Sequence, residues 1–235
     1  MTQVAFYGID TVRVRSEEGL LPGRLFAIEG TDGVGRSTQI QHLRTWLESS
    51  GYAVIDTGQR RSALAGRGIN EAKQGHTLGP LTMDLFYATD FVDRFENQIL
   101  PALRAGFIVL TDRYIYSLMA RAIVRGAERD WIKQIYGLAL KPDAIFYLDI
   151  DLDALIRRIL RRGRFDYWES GMDMRLGPDL YESFIIYQDL ILKEFRHMAT
   201  DYSFQVIDAT RSIPRILADL QARIEPLLPA GQASG

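Results

Sequence analysis

Short runs that are apolar on both faces alternate with amphipathic stretches along this chain. The runs are Arg24–Glu29, Ala53–Thr57, Phe107–Thr111, Ala144–Asp149 and Phe204–Asp208, all rich in Ile, Val, Leu and Phe. A strand without a polar face must be covered on both sides, as the inner strands of a parallel sheet are. Between the runs, Arg36–Ser50, Leu81–Arg104, Asp153–Arg162, Tyr181–Met198 and Pro214–Leu227 repeat apolar residues at three- and four-residue steps, which predicts helices. Gly51 and Gly106 follow the first two as C-caps. Strands alternating with helices imply right-handed crossovers, and so an α/β fold: a doubly wound parallel sheet flanked by helices. No Pro-, Gly- or Ser-rich boundary divides the pattern, so one domain is expected over residues 24–228. Residues 1–23 read as an N-terminal extension, in which Thr11–Arg15 alternates like an edge strand, and 229–235 as a flexible tail.

Charge and composition narrow the partners. The formal net charge is -2 over 235 residues, so no global basic field draws the protein to nucleic acid. With no cysteine, disulfides, thiolate metal sites and cysteine nucleophiles are excluded. His42, His76 and His197 lie far apart and lack metal-ligand spacing. No basic leader precedes an apolar stretch, and no run approaches the ~18 apolar residues of a membrane span. The expectation is a soluble cytoplasmic protein that binds small anionic ligands by local positive charge.

That charge has an evident place. Gly30-Thr31-Asp32-Gly33-Val34-Gly35-Arg36-Ser37-Thr38 follows an apolar strand and opens a helix, the context of a Walker A phosphate loop. Glycines let the backbone curl so that successive N–H groups face phosphate oxygens, and the helix N-terminus adds partial positive charge. Arg36 stands where the Walker lysine would, and is also permanently cationic. Ser37 offers a hydroxyl to Mg²⁺. The alternative is a glycine-rich strand-to-helix turn that binds nothing.

Taken together, the phosphate loop, Thr111-Asp-Arg-Tyr114, Phe146-Tyr-Leu-Asp149 and Val206-Ile-Asp-Ala-Thr210 resemble the thymidylate kinase family, with the motifs in the family's order from about Arg24 to about Leu228. The resemblance implies transfer of a phosphoryl group from ATP to dTMP with Mg²⁺, a five-stranded parallel sheet and a homodimer. It implies that Arg113 meets the acceptor phosphate and that Asp32 meets the acceptor sugar, while Asp112, at the carboxyl end of its strand, can hold Mg²⁺ through water beside Ser37. Asp112-Arg113 could instead be a strand-end ion pair or a helix cap. Arg162-Gly-Arg-Phe-Asp166-Tyr-Trp-Glu169 is similar to the family's mobile lid, whose arginine reaches the transferring phosphoryl group. It ends a cluster in which Arg157/Arg161 and Arg158/Arg162 form two i,i+4 rows, and Arg158 and Arg162 join Arg36 and Arg113 as candidate catalytic residues. A solvated helix face is the alternative.

The acceptor side departs from the pattern. Ser117 lies in the motif that follows Asp112-Arg113, and Tyr87 matches the aromatic that stacks on the base, although it could be a core residue. Arg61 of Arg60-Arg61 stands where the family places another acceptor-phosphate arginine, or is a surface residue. Phe91 replaces an arginine, with Arg94 one turn beyond, and Arg121-Ala122 replaces a Tyr-Gln pair beside the base. These departures predict weaker discrimination among pyrimidine monophosphates than the family pattern implies. They also leave open a kinase for another nucleotide or nucleoside, or a nucleotide-binding regulatory protein that has lost turnover. No N-K-x-D motif points to a guanine-nucleotide switch.

Overall fold

The computed structural model describes residues 2–3, 5–8, 20–75, 77–163 and 165–229. Thr11–Arg15, His76 and Arg164 lie outside the described residues. Five strands, β1 (Arg24–Glu29), β2 (Val54–Gly58), β3 (Ile108–Asp112), β4 (Ala144–Asp149) and β5 (Gln205–Asp208), form one parallel sheet in the order β2-β3-β1-β4-β5. All six residues of β1 are buried, because the strand is central and covered on both faces. Leu25 and Ala27 point to one core with Val109, Ile145 and Tyr147. Phe26 and Ile28 point to the other with Leu110, Phe146 and Leu148. The period of two therefore sorts each strand between two helical layers.

The helices are α1 (Arg36–Ser49), α2 (Gly66–Gly75), α3 (Pro80–Arg94), α4 (Leu100–Arg104), α5 (Ile115–Val124), α6 (Arg129–Ile135), α7 (Leu152–Arg162), α8 (Leu180–Asp201) and α9 (Ile213–Ile224). Gly51, Gly106 and Gly163 follow α1, α4 and α7 with φ of +86°, +84° and +82°, so these stops behave as their positions suggest. Asp151, Asp179 and Glu128 cap α7, α8 and α6 by accepting backbone N–H bonds. None of the described helices is long and apolar enough to cross a membrane.

The expected helix Leu81–Arg104 is not uniform. Phe95–Ile99 forms a π turn between α3 and α4, in which the Leu100 N–H bonds the Phe95 carbonyl. Pro101, directly after, has no N–H and its ring would clash with the carbonyl four residues back, so a wider turn relieves the ladder. Helices α2, α5 and α6 are additional to those read from periodicity: α5 has ten residues and is buried nearly all round, which hides a 3.6-residue period.

In a sheet of this order the crossovers on either side of β1 leave to opposite faces. A crevice opens at its carboxyl end, where doubly wound folds bind ligands. The phosphate loop lies there.

Candidate active site

The loop backbone explains its glycines. Gly30 and Gly33 have φ of +144° and +80°, conformations that side chains resist. A Cβ on Gly33 would also lie 2.5 Å from Ile159 Cδ1, because α7 packs against the outside of the loop. Val34 is 2% exposed, so its side chain belongs to the core and only its backbone can serve the loop. Arg158 braces the outside: Nη1 donates to the Val34 carbonyl at 2.6 Å and Nη2 to the Ala209 carbonyl at 2.5 Å. Arg158, a candidate catalytic residue by sequence, is thus engaged with two backbone carbonyls. Its neighbours Arg157 and Arg161 are exposed.

Arg36 is 8% exposed and turns back on the loop. Its Nη1 donates to the carbonyls of Gly30 and Thr31, and its Nε to Asp112 Oδ1 at 2.8 Å. The other Asp112 oxygen accepts from Ser37 Oγ at 2.9 Å. Burial opposes ionisation of Asp112, but Arg36 and Arg113 outweigh it and hold the carboxyl below the usual range. Among the described residues no group of three or more His, Cys, Asp or Glu could hold a metal. The Ser37 hydroxyl and the Asp112 carboxylate are nonetheless the hard oxygen pair that suits Mg²⁺.

Arg113 follows β3 with φ of +70°, which a non-glycine residue adopts only when its surroundings impose it. Its N–H is tied to the Ile28 carbonyl at 3.1 Å, and the turn aims its guanidinium at Asp32 across the β1–β3 crevice. Arg121 of α5 takes the other Asp32 oxygen. Burial works against the charge on Asp32, yet Arg113, Arg121 and Arg36 override it and keep the group ionised far below the ordinary range. Arg113 is itself pushed down to about 10 by burial and by Arg121 and Arg36.

Beside this cluster lies a cavity of about 490 Å³. Around Asp32 its wall is cationic, with Arg60, Lys73, Arg113 and Arg121. Elsewhere the apolar or aromatic Leu78, Met83, Tyr87, Leu118, Tyr136 and Met174 line it together with the charged Asp84, Arg125, Asp166, Glu169 and Asp173. Phosphate chemistry at one wall and a planar apolar group at the other match a nucleotide. Lys73 is pushed down to about 7 by burial, then by Arg121 and Arg60. It lies 5.2 Å from the Trp168 ring, and its carbonyl accepts from Trp168 Nε1 at 3.2 Å. Arg125 bonds both Asp173 oxygens, at 2.8 and 3.1 Å, and the Trp168 carbonyl at 3.3 Å. The segment after α7 is therefore fastened to the cavity wall from two sides.

Several sequence candidates fall elsewhere. Arg61 does not line the cavity; it pairs with Asp56 at 2.7 Å, while Arg60, with φ of +61°, turns into the wall. A left-handed residue swaps which of two adjacent side chains faces inward, and nothing in Arg60-Arg61 signals that. Ser117 is 2% exposed and gives its hydroxyl to the buried Glu29, so it braces β1 rather than facing the cavity. Phe91 is fully buried against Phe95, Tyr114 and Tyr136, which makes it a core aromatic. Arg94 is also fully buried, paired with Asp90 at 3.0 Å, and does not line the cavity. Tyr87 does line it. Arg162, expected as the lid arginine, bonds Glu169 at 2.5 Å on the segment after α7. Lys73, Asp84 and Arg125 had no motif to mark them, and Arg121 was visible only as a departure.

The comparisons agree with this geometry. A model of the family described as Thymidylate kinase matches residues 28–220. The probable thymidylate kinase 2 of Saccharolobus solfataricus is 36% identical over 201 residues, covering 85% of this chain and 94% of that protein. The thymidylate kinase of Clavibacter michiganensis is 32% identical over 228 residues, covering 91% of this chain and all of that one (100%). The probable thymidylate kinase of Pyrobaculum aerophilum is 32% identical over 200 residues. A match across nearly the whole α/β domain, with the phosphate loop and the Asp112-Arg113 turn in place, shows that the chain belongs to the thymidylate kinase family.

Proposed function

We propose that the protein transfers the γ-phosphoryl group of ATP to dTMP, giving dTDP and ADP. The observation that carries this reading is the cationic wall formed by Arg113, Arg121, Arg60 and Lys73 directly beside Asp32 of the phosphate loop. Such a wall receives a second phosphate next to a loop built for the first. The β–γ P–O bond breaks as a bond forms from an acceptor phosphate oxygen to the γ-phosphorus, so the residues' task is alignment and charge neutralisation.

In this reading the N–H groups of residues 30–38 hold the donor phosphates. Arg36 exchanges loop carbonyls for phosphate oxygens, and Arg158 keeps the loop in shape. Arg113 and Arg60 orient the acceptor phosphate, Asp32 meets the acceptor sugar, and Tyr87 lies against the base. Ser37 and Asp112 would hold Mg²⁺, which neutralises donor charge when bound. Arg162 is the lid cation, and closure of the lid segment would exclude water and so suppress hydrolysis. The domain is taken to span residues 24–228, and the protein to act as a cytoplasmic homodimer without nucleic-acid or membrane partners.

A coupled assay with ATP, Mg²⁺ and dTMP, dUMP, dCMP or UMP tests the reading. Turnover of dTMP with the highest kcat/KM is expected. ATP binding without turnover of any of the four would replace it with the regulatory reading, and turnover of a nucleoside or another nucleotide alone would replace the acceptor.

A further inference from the structure

The acidic residues of the cavity wall differ in one respect. Asp32 is shared by Arg113 and Arg121, and Asp173 is gripped by Arg125. Glu169 pairs with Arg162, and Asp166 accepts the backbone N–H groups of Trp168 and Glu169. Asp84 alone among these wall carboxylates has neither a hydrogen bond nor an ion pair among the described residues.

Its position is also distinct. Asp84 lies on α3 between Pro80 and Tyr87, at helical spacing that puts all three on one face, and all three line the cavity. Tyr136, across the wall, is close enough to feel the charges of both Asp84 and Tyr87. The charged group facing Asp84 is Arg125, the residue that caps the end of α5, already committed to Asp173 and Tyr187. Asp84 is thus an acceptor on the α3 side of the wall, near Tyr87 and Tyr136. Burial pushes its carboxyl up to about 6, and Arg125 only partly offsets this. Its oxygens are not sealed from the cavity, so this half-buried carboxylate stands as an open acceptor for a ligand N–H.

Resting on the acceptor reading above, we propose that Asp84 is the base-reading residue of this site, accepting a hydrogen bond from the imide N3–H of the pyrimidine. A thymine or uracil ring placed against Tyr87 carries that N–H as the one strong donor on its edge. A site that buries an acceptor for a substrate N–H rejects a ligand lacking it, because the acceptor is then desolvated and unpaired. Phe91 in place of the family's arginine, and Arg121-Ala122 in place of its Tyr-Gln pair, deprive this wall of a polar contact to the acceptor. Asp84 supplies one from a different turn of the same helix.

The test measures kcat/KM for dTMP and for N3-methyl-dTMP on the wild-type protein and on Asp84→Ala. Methylation is expected to cost the wild-type protein about tenfold or more, and Asp84→Ala about the same with dTMP. The two losses should not add, since both remove one contact and alanine leaves room for the methyl group. Asp84→Asn, which keeps a carbonyl acceptor, should restore dTMP turnover to within a few-fold of wild type. KM for ATP and the melting temperature should be unchanged in both variants, because Asp84 holds no other element in place. Additive losses, or an Asn variant as impaired as the Ala variant, would overturn the assignment. Wild-type turnover of dTMP with an unimpaired Asp84→Ala would sink this inference alone. No wild-type turnover of any pyrimidine monophosphate would sink the acceptor reading and this inference with it.

Discussion

Arg36 and Asp112 meet at 2.8 Å between the start of α1 and the end of β3, and this contact closes the phosphate loop onto the sheet. Asp112 also receives Ser37, so one carboxylate links the loop cation to the candidate metal residue. A donor phosphate entering the loop competes with Asp112 and two carbonyls for one guanidinium. Arg36→Ala should lower kcat/KM for ATP by at least tenfold, from the ~1.5–3 kcal/mol typical of a charge-assisted hydrogen bond. Arg36→Lys should retain part of the activity. Unchanged kcat/KM in the alanine variant would remove Arg36 from the donor site.

Arg162 is more than a third exposed at its side chain (36%) and bonds Glu169 within the lid segment. A contact to the transferring group formed only on closure acts in the transition state rather than in ground-state binding. Arg162→Ala is expected to lower kcat while the dissociation constant for ATP stays within a few-fold. Equal losses in both would make it an ordinary binding residue.

Lys73 titrates near physiological pH. Its value of about 7 in the fold lies below the ordinary 10.5. Between those values the unfolded chain binds the extra proton, so this group alone makes the fold more stable as pH rises through that window. Acceptor binding runs the other way, since a phosphate beside Lys73 favours the charged form. KM for dTMP should rise above about pH 7, by up to about tenfold per unit, as the competent form is depleted. Lys73→Met should flatten that profile; a wild-type KM independent of pH in this range would exclude Lys73 from the phosphate wall.

Asp90 carries a structural load. It is fully buried, pairs with Arg94, and accepts the backbone N–H groups of Arg60 and Ser62 at 3.0 Å each. Asp90→Ala leaves Arg94 buried without its partner, which should cost about 3–5 kcal/mol in urea unfolding. It should also raise KM for dTMP by releasing the turn that aims Arg60. The double variant Asp90→Leu, Arg94→Met should recover part of the stability, since the Arg60 and Ser62 N–H groups still lack an acceptor, but not KM; recovery of KM would mean that the turn at Arg60 does not depend on Asp90.

The fold class was legible because parallel strands and their helices carry local periods. The runs at Arg24–Glu29 and Ala144–Asp149 match β1 and β4 to the residue, and the others fall within one residue of β2, β3 and β5. The phosphate loop was legible because glycine spacing, a strand before and a helix after are all local. Buried α5 and the π turn before Pro101 were not, since one lacks a polar face and the other depends on how the helix ladder accommodates a proline.

On the acceptor side, side-chain direction is a tertiary property. Arg60 and Arg61 are the same residue type side by side, and only a left-handed backbone angle, fixed by Asp90 from another helix, turns the first inward. Arg121 read as the loss of a family residue, yet packing of α5 brings it to the phosphate-loop Asp32 from 89 positions away. Asp84 is one acid among many until α3, α5 and Tyr136 enclose it. The sequence by itself determined the sheet and the phosphate loop, because backbone period and glycine placement act over a few residues. Only the tertiary structure decided which cations and which carboxylates line the cavity beside Asp32, because that depends on contacts between elements far apart in the chain.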